Sequence, residues 1–592
     1  MAEGNHNYDS ETKSSRLPAL KLDYNPTVDH LMNCPITVGH DNPGGDRNSD
    51  KAAIRVMIVG DSISHGAEGD YTWRYRIWQW FQAEGIPTKF VGPYKGTQPP
   101  NKPSRPQRPF AAGGKACTAI PATDGGYAMD IPEDWDSNHF SVWGRQAAQT
   151  RDLIEAEVAK YHPDLLLVEL GFNDMGWFVS GPEGTLQSMS EVIHNARKSN
   201  SHINIALANV PHRTYISGRD DLVANTRKYN SMLSEIIPSW SRGDSLVHLV
   251  RLQENYGCGT DDCPAGHDGL HPNALGEFQI AQAFSRTLVN DFKIGARELG
   301  VPLIVPQRPT PVPDNIQVVS APGGIIVTWD AVYGAYSYDL RSRIVGTEWS
   351  KTPIAVNRFD NNWVSDGMEW EYQVRTNNGE HVGISDWTQV KSAVAHPETA
   401  PGPSNTIVTA TSDGIRVTWQ KPTGPYTDSI EGYELFVRSV VAPGTYIKSK
   451  WETGCRAEFQ GLERGQHYVI AIASWNTAGC GIPSHTWPAT PGHGRPTAPL
   501  NLQAQNVDPT TVQLTWDNGS VAAAGYRVWV RQVSDGAEWQ ADRDDIIMNS
   551  SHGVAFLFPG TWNFEFCVTA VNGHLESGKS NHVIPLRWLG HC

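Results

Sequence analysis

Ile54-Arg55-Val56-Met57-Ile58-Val59-Gly60-Asp61-Ser62-Ile63-Ser64 is an apolar run that breaks at a glycine and passes into small polar residues. The run reads as a buried strand. The Gly60-Asp61 lead-in makes a tight turn into a helix, which exposes the Ser62 hydroxyl and offers backbone N–H groups to an anion. A second stretch of the same kind, Pro163-Asp164-Leu165-Leu166-Leu167-Val168-Glu169-Leu170, is nearly continuous in apolar residues, as strands of parallel sheets are. It runs into Gly171-Phe172-Asn173-Asp174. Between and after these strands the spacing predicts helices over 73–81, 146–161, 186–198, 222–237 and 273–291, with further strands at 203–210 and 247–252. Alternating strands and helices predict a parallel sheet covered by helices on both faces. Such sheets bind ligands beyond the carboxyl ends of their strands, the edge at which Ser62 and Asn173 stand.

The chain has 592 residues, too many for one hydrophobic core, so roughly three to five domains are expected. Its formal charge of -15 argues against a nucleic-acid or anionic-membrane partner, since both require a basic face. No stretch is apolar over the length that a bilayer-spanning helix needs, so no transmembrane segment is expected. Twenty-one Trp and nineteen Tyr suit antiparallel sheet or stacking on sugar rings, and sheet cores account for most of them.

The eight cysteines are Cys34, Cys117, Cys258, Cys263, Cys455, Cys480, Cys567 and Cys592. Without a CxxC pair or a zinc spacing among them, they read as structural disulfides and therefore as an extracellular chain. Cys258 with Cys263 would clamp the loop that leads to Asp268 and His271. Cys455/Cys480 and Cys567/Cys592 would staple two downstream domains. The start, Met1-Ala2-Glu3-Gly4-Asn5, shows no signal peptide, and sequons at Asn518 and Asn549 are glycosylation candidates compatible with secretion.

Residues 1–50 are polar and read as an irregular lead-in held by Cys34. A Pro-rich segment, Val305–Pro313, closes the α/β region as a semi-stiff linker. Beyond it a pattern recurs three times at roughly 90 to 100 residues. A strand ends in Thr328-Trp329, Thr418-Trp419 and Thr515-Trp516, a second is centred on Tyr338, Tyr433 and Tyr526, and a third alternates through 370–374, 468–472 and 564–568. Short alternating strands separated by turns predict β-sandwiches. On these residues the units resemble fibronectin type III domains, giving expected divisions at 51–304, 305–396, 397–493 and 494–592, with the sandwiches acting as spacers.

Chemistry-bearing residues concentrate in the α/β region. Ser62 is a candidate nucleophile, with Ser64 as its rival. Asn173 can donate its amide to an oxyanion, although on this block alone Asn173 and Asp174 read first as caps of the next helix. In Asp268-Gly269-Leu270-His271-Pro272 the three-residue spacing brings a carboxylate round a turn to the imidazole, where it fixes the tautomer. Asp261, Asp262 and His267 raise a metal alternative, but no recognisable ligand spacing supports it, so no metal is expected.

Taken in order, Gly60-Asp61-Ser62-Ile63, Gly144, Gly171-Phe172-Asn173-Asp174 and Asp268-Gly269-Leu270-His271-Pro272 resemble the SGNH (GDSL-type) hydrolase superfamily over about residues 51–300. The resemblance implies a three-layer α/β sandwich on a flavodoxin-like parallel sheet. It also implies two-step ester hydrolysis through an acyl-serine with no cofactor. Carried over by residue, Ser62 is the nucleophile, His271 the base and Asp268 its orienting carboxylate. The oxyanion hole would be the Ser62 N–H, the Gly144 N–H and the Asn173 side chain, with Gly125 or Gly126 competing for the glycine role. Trp143, Trp177 and Phe178 stand near these blocks as substrate-contact candidates. The expected substrate is a polysaccharide carrying acetyl or similar small acyl groups, with the sandwiches serving polymer or cell-wall attachment. A lipase or aryl esterase with the same triad, and an adhesin with a vestigial hydrolase, are the alternatives.

Overall fold

A computed structural model describes residues 53–585 apart from 109–120, 133, 217, 441–447, 485–487, 509, 534–535, 544 and 556–562. The lead-in segment 1–50 and Cys34, Cys117 and Cys592 lie outside the described residues.

The α/β region runs β1 (Ile54–Gly60), α1 (Ser62–His65), α2 (Thr72–Ala83), β2 (Thr88–Phe90), β3 (Phe140–Ser141), α3 (Ala147–Tyr161) and β4 (Leu165–Glu169). It continues through α4 (Phe172–Gly176), α5 (Pro182–Ser199), β5 (Asn204–Ala208), α6 (Asp220–Trp240), β6 (Val247–Val250), α7 (Leu252–Asn255) and α8 (Ala274–Asn290). All its strands are parallel, in the order β2-β1-β4-β5-β6, and β3 pairs with the carboxyl end of β1. Setting the two-residue β3 aside, this is the flavodoxin-like order, whose reversal lies between β1 and β4. The apolar runs explain the burial: Val56–Val59 and Leu165–Val168 are sealed between the helix layers. The long elements fall where periodicity puts them. The short ones, β2, β3, α1, α4 and α7, span too few residues to show a period.

Three β-sandwiches follow. In the first, β7 (Gln317–Ala321), β8 (Gly324–Thr328) and β11 (Arg358–Asn361) face a sheet of β9 (Ser337–Ile344), β10 (Ser350–Ile354), β12 (Glu369–Asn377) and β13 (Lys391–Val394). The second sets β14 (Ser404–Ala410), β15 (Gly414–Gln420) and β18 (Arg456–Gln460) against β16 (Ile430–Ser439), β17 (Lys448–Glu452), β19 (Tyr468–Asn476) and β20 (Gly479–Cys480). The third repeats the plan between Leu500 and Glu576. Each core holds the same edge-to-face pair: Trp329–Tyr338 at 5.2 Å, Trp419–Tyr433 at 5.2 Å and Trp516–Tyr526 at 5.3 Å between centroids. This contact is the physical reason for the Trp and Tyr repeat, since edge-to-face rings lock the two sheets together.

One expected disulfide is overturned. Cys455 and Cys480 are free thiols. Strand alternation separates them: Cys480 lies with Phe436, Trp451 and Trp475 on the outer face of its sheet, whereas Leu435 and Ile472 fill the interior. Cys455 sits beside β18 in the opposite sheet, its carbonyl accepting from Trp419 N at 3.2 Å. Cys567 is a buried thiol. Asn518 and Asn549 are exposed. Among the described residues no helix is long and apolar enough to cross a membrane.

Leu167, fully buried in the central strand β4, tests this core. Leu167→Ala is expected to destabilise the α/β unit by about 2–5 kcal/mol, read as a lower urea midpoint of its unfolding transition.

Candidate active site

β1 ends at Gly60, where any Cβ would collide with the Ser64 side chain, so the chain can turn sharply there only as glycine. Asp61 caps α1, its Oδ1 accepting from Ile63 N at 3.0 Å. Arg74, itself buried, donates to the carbonyls of Ser64 (2.8 Å) and His65 (3.1 Å), which satisfies the last carbonyls of this short helix and fixes the turn. Ser62 emerges from it 6% exposed. Ser64 points the other way, donating to Glu169 Oε2 at 2.9 Å while Trp73 Nε1 donates to its hydroxyl at 3.2 Å.

The loop from Tyr256 to Asn273 brings up the other two groups. Its Cys258–Cys263 disulfide closes a short ring. Tyr256 Oη donates to the Leu270 carbonyl at 2.6 Å, and His267 N donates to the His271 carbonyl at 2.9 Å. Asp268 Oδ1 accepts from the backbone N–H of Leu270 (3.1 Å) and His271 (2.8 Å), so the carboxylate is oriented by the turn that carries it. Its Oδ2 stands 2.7 Å from His271 Nδ1, and His271 Nε2 stands 2.8 Å from Ser62 Oγ. The structure thus joins Ser62, His271 and Asp268 in one hydrogen-bonded chain.

Electrostatics polarise this chain. For Asp268, burial pushes the carboxyl up, but the His271 and His267 imidazoles and the His271 hydrogen bonds outweigh it and hold the group well below the usual range. For His271, burial pulls down while the Asp268 charge and hydrogen bond prevail, leaving the imidazole above its ordinary value. Arg213, which sequence reading does not single out, holds that rise back through its charge.

Asn173 lies at the start of α4, past β4. Its Nδ2 donates to Asp61 Oδ2 at 3.2 Å and to the Arg145 carbonyl at 3.1 Å, which aims the amide at the Ser62 turn. Asp174 does cap a helix, but a different one: its carboxylate accepts from Ala147 N (2.8 Å) and Ala148 N (3.0 Å) at the start of α3. Gly144 sits just past β3, in the left-handed region at φ 78°, on a segment docked to the end of β1 by Val142 N donating to the Gly60 carbonyl. Gly125 and Gly126 lie elsewhere, Gly125 bridged to Thr97 and Gly126 pressed against Tyr333. Trp143 stacks on His271 with centroids 4.7 Å apart and planes 19° apart. Trp177 is half-buried at the end of α4, and Phe178 is 73% exposed beneath the Arg219 guanidinium.

His267, Asp268 and His271 offer ligand atoms within 4.8 Å of one another. Both nitrogens of His271 are already committed, to Asp268 and to Ser62, so a cation bound through its ring would displace one of these bonds. Asp262 pairs with His381 of the first sandwich at 2.8 Å instead.

A second buried layer lies beneath Ser62. Asp61 and Glu169 share a hydrogen bond, and burial followed by their mutual charge raises Asp61, while burial raises Glu169 to about 7. The signal for Glu169 is a lone carboxylate inside an otherwise apolar strand. His65 accepts from Trp143 N at 3.2 Å and is kept neutral by burial and the nearby Arg74, its pKa lowered to about 3.

Residues 119–277 match the GDSL-like Lipase/Acylhydrolase family, and residues 400–490 and 497–585 each match the fibronectin type III domain. The sandwich over 317–394 shares their Trp–Tyr core pair. Tyrosine-protein phosphatase Lar of Drosophila melanogaster is 27% identical over 292 residues, which is 46% of this chain and 14% of that protein, so the chain spans about a seventh of its length. A carbohydrate esterase family 3 structure from Talaromyces cellulolyticus is 20% identical, covering 41% of this chain and 100% of that one with a TM-score of 0.30. The Clostridium thermocellum family 3 carbohydrate esterase is 17% identical over 41% of this chain and 98% of that one, with a TM-score of 0.27.

Glu169→Gln tests the buried carboxyl pair. A raised folded-state pKa means that the unfolded chain loses its proton first, so folding stability falls as pH rises from the ordinary glutamate range through about 7. The neutral amide of the variant mimics the protonated carboxyl, and the α/β unit's loss of melting temperature between about pH 5 and pH 8 is expected to shrink with it.

Proposed function

Starting from an ester hydrolase whose residues 119–277 are a GDSL-like acylhydrolase domain, we propose that Ser62, His271 and Asp268 form its catalytic triad and that it removes small acyl groups from a polysaccharide. The observation that carries this reading is the unbroken chain Ser62 Oγ–His271 Nε2 at 2.8 Å and His271 Nδ1–Asp268 Oδ2 at 2.7 Å. Ser62 attacks the ester carbonyl as His271 takes its proton, and Asp268 stabilises the resulting imidazolium. The oxyanion meets the Ser62 N–H, the Gly144 N–H and the Asn173 amide, which exchanges one of its bonds, to Asp61 or to the Arg145 carbonyl, for one to the oxyanion. Collapse expels the sugar alkoxide, which takes the proton back from His271. Water then enters, gives a proton to His271 and cleaves the acyl-serine, and that proton returns to Ser62 as the acid leaves.

A nucleophile only 6% exposed admits a small acyl group more readily than a long chain. The Trp143 ring stacked on His271 offers a face of the kind sugar rings use. The net charge of -15 suits a neutral polymer better than an anionic surface. The Cys258–Cys263 disulfide and the sandwich array support work outside the cell, and the second and third sandwiches would supply reach or attachment to the polymer.

Acetylated xylan and p-nitrophenyl esters of increasing chain length test the substrate class: activity is expected on the acetylated polymer and to fall with acyl length, whereas a rise with length assigns the site to lipids. Ser62→Ala is expected to abolish turnover, and wild-type turnover surviving that change overturns the assignment. Asn173→Ala is expected to lower kcat by about 10²–10³.

The His271 shift sets the pH profile. The base must be neutral, so kcat/KM is expected to rise through an apparent pKa above the ordinary histidine value and to be lost below it. Asp268→Asn removes the charge that stabilises the imidazolium, so the acid limb is expected to move to lower pH while kcat drops by about 10⁴.

A further inference from the structure

The first sandwich is packed onto the loop that carries His271. Gly379, at φ 95°, lies so close to the His267 carbonyl that any Cβ would collide with it. His381 Nε2 pairs with Asp262 at 2.8 Å, and Tyr333 Oη donates to the Tyr127 carbonyl at 2.6 Å. The Pro-rich segment is strapped down as well: Asn378 Nδ2 donates to Thr310 Oγ1 at 3.1 Å, and Thr376 Oγ1 donates to the Pro311 carbonyl at 2.6 Å. The semi-stiff spacer expected from composition is therefore part of an interface.

At the centre of this interface the planar groups line up. Arg308 lies 3.9 Å over the Tyr336 ring, and Tyr336 lies 3.6 Å from His267 with planes 8° apart. His267 lies 5.8 Å from His271 at 24°, and Trp143 stacks on His271 at 4.7 Å. Asp70 anchors the outer end, pairing with the Arg308 guanidinium and accepting from Tyr336 Oη at 2.6 Å. Arg308 Nη1 also donates to the Glu68 carbonyl at 2.8 Å. Burial holds His267 neutral, its pKa lowered to about 4, so it adds no second charge to the stack when His271 takes a proton.

We infer that the first sandwich and its linker are a working part of the esterase: Tyr336 and Arg308 are positioning residues that hold the His271 imidazole against Ser62 through His267. The inference rests on the triad reading above. It follows from the way the ring is held. Asp268 and Ser62 hold its two nitrogens, and the planar groups stacked with the ring, Trp143 and the His267–Tyr336–Arg308 column, oppose its tilting away from that line. Removing the column frees the imidazole from its near-attack geometry, and a misplacement of about 1 Å costs on the order of 10²-fold in rate.

Full-length Tyr336→Ala, Tyr336→Leu and Tyr336→Phe, assayed beside wild type on p-nitrophenyl acetate and by hydrogen–deuterium exchange, decide the matter. In Tyr336→Ala, kcat is expected to fall roughly 10- to 100-fold with KM little changed, and exchange is expected to rise in peptides spanning 257–272 while β1 and β4 stay protected. Tyr336→Phe keeps the ring and is expected to retain most of kcat and the protection of the loop. If Tyr336→Ala loses protection throughout the α/β unit, Tyr336→Leu, which fills the space without a stacking face, is expected to give the selective result. Unchanged exchange over 257–272 in both apolar variants overturns the inference, as does a kcat in Tyr336→Phe as low as in Tyr336→Ala. A wild-type protein that hydrolyses no ester defeats the triad reading instead, and the exchange arm still decides whether Tyr336 orders the loop.

Discussion

The register between β1 and β4 is the constraint on which the rest of the site depends. Val56–Gly60 pairs in parallel with Leu165–Glu169, so the two strands end level with one another at the reversal of the sheet order. Ser62 and Asn173 follow those ends closely, and α1 and α4 carry them into one crevice. A slip of one residue would exchange the faces of β4 and move Glu169 away from Ser64. That register is secured by burial on both faces of the sheet, which makes any other pairing expose apolar side chains.

A site built at strand ends has an electrostatic cost, since the backbone groups there leave the sheet ladder and must find other partners. The chain meets it with buried polar side chains rather than with water-exposed ones. Arg74 takes the carbonyls at the end of α1, Asp174 takes the N–H groups that begin α3, and Asn173 spans Asp61 and Arg145. Burying Asp61 and Glu169 in this layer raises both of them, so they need not add a full second negative charge beneath Ser62. The negative charge that does matter, Asp268, is kept low by its own imidazole.

Much of the architecture was legible because long elements leave a period and the three sandwiches repeat a Trp and a Tyr that touch in each core. The residues of the hydrogen-bonded chain, and Asn173 beside it, were legible too, because Ser62, Asn173, Asp268 and His271 sit in short motifs at strand and helix ends. What was not legible depends on where distant side chains face. Cys455 and Cys480 are near in sequence, yet they belong to opposite sheets, and an even count of cysteines says nothing of strand alternation. The Pro-rich segment has the composition of a spacer, but composition does not record that Asn378 and Thr376 bind it back. Trp143 was marked for its nearness to Gly144, whereas its contact is with the His271 ring.

The placement of the sandwich also follows from a weakness of the loop that carries His271. Residues 256–273 contain little regular structure, so ordering them costs about 1–2 kcal/mol of backbone entropy per residue with few ladder bonds in return. A disulfide across five positions restrains only its own short ring. The turn around Asp268 orders the next few residues, and α8 anchors the far end. His267 and Asp262 remain on the outer side of this loop, and both are taken up by the neighbouring sandwich, through Tyr336 and His381. Packing the strand ends and turns of a sandwich against an irregular loop supplies order that the loop cannot generate internally. On that argument the first sandwich belongs with the loop that carries His271 rather than with the array that follows it.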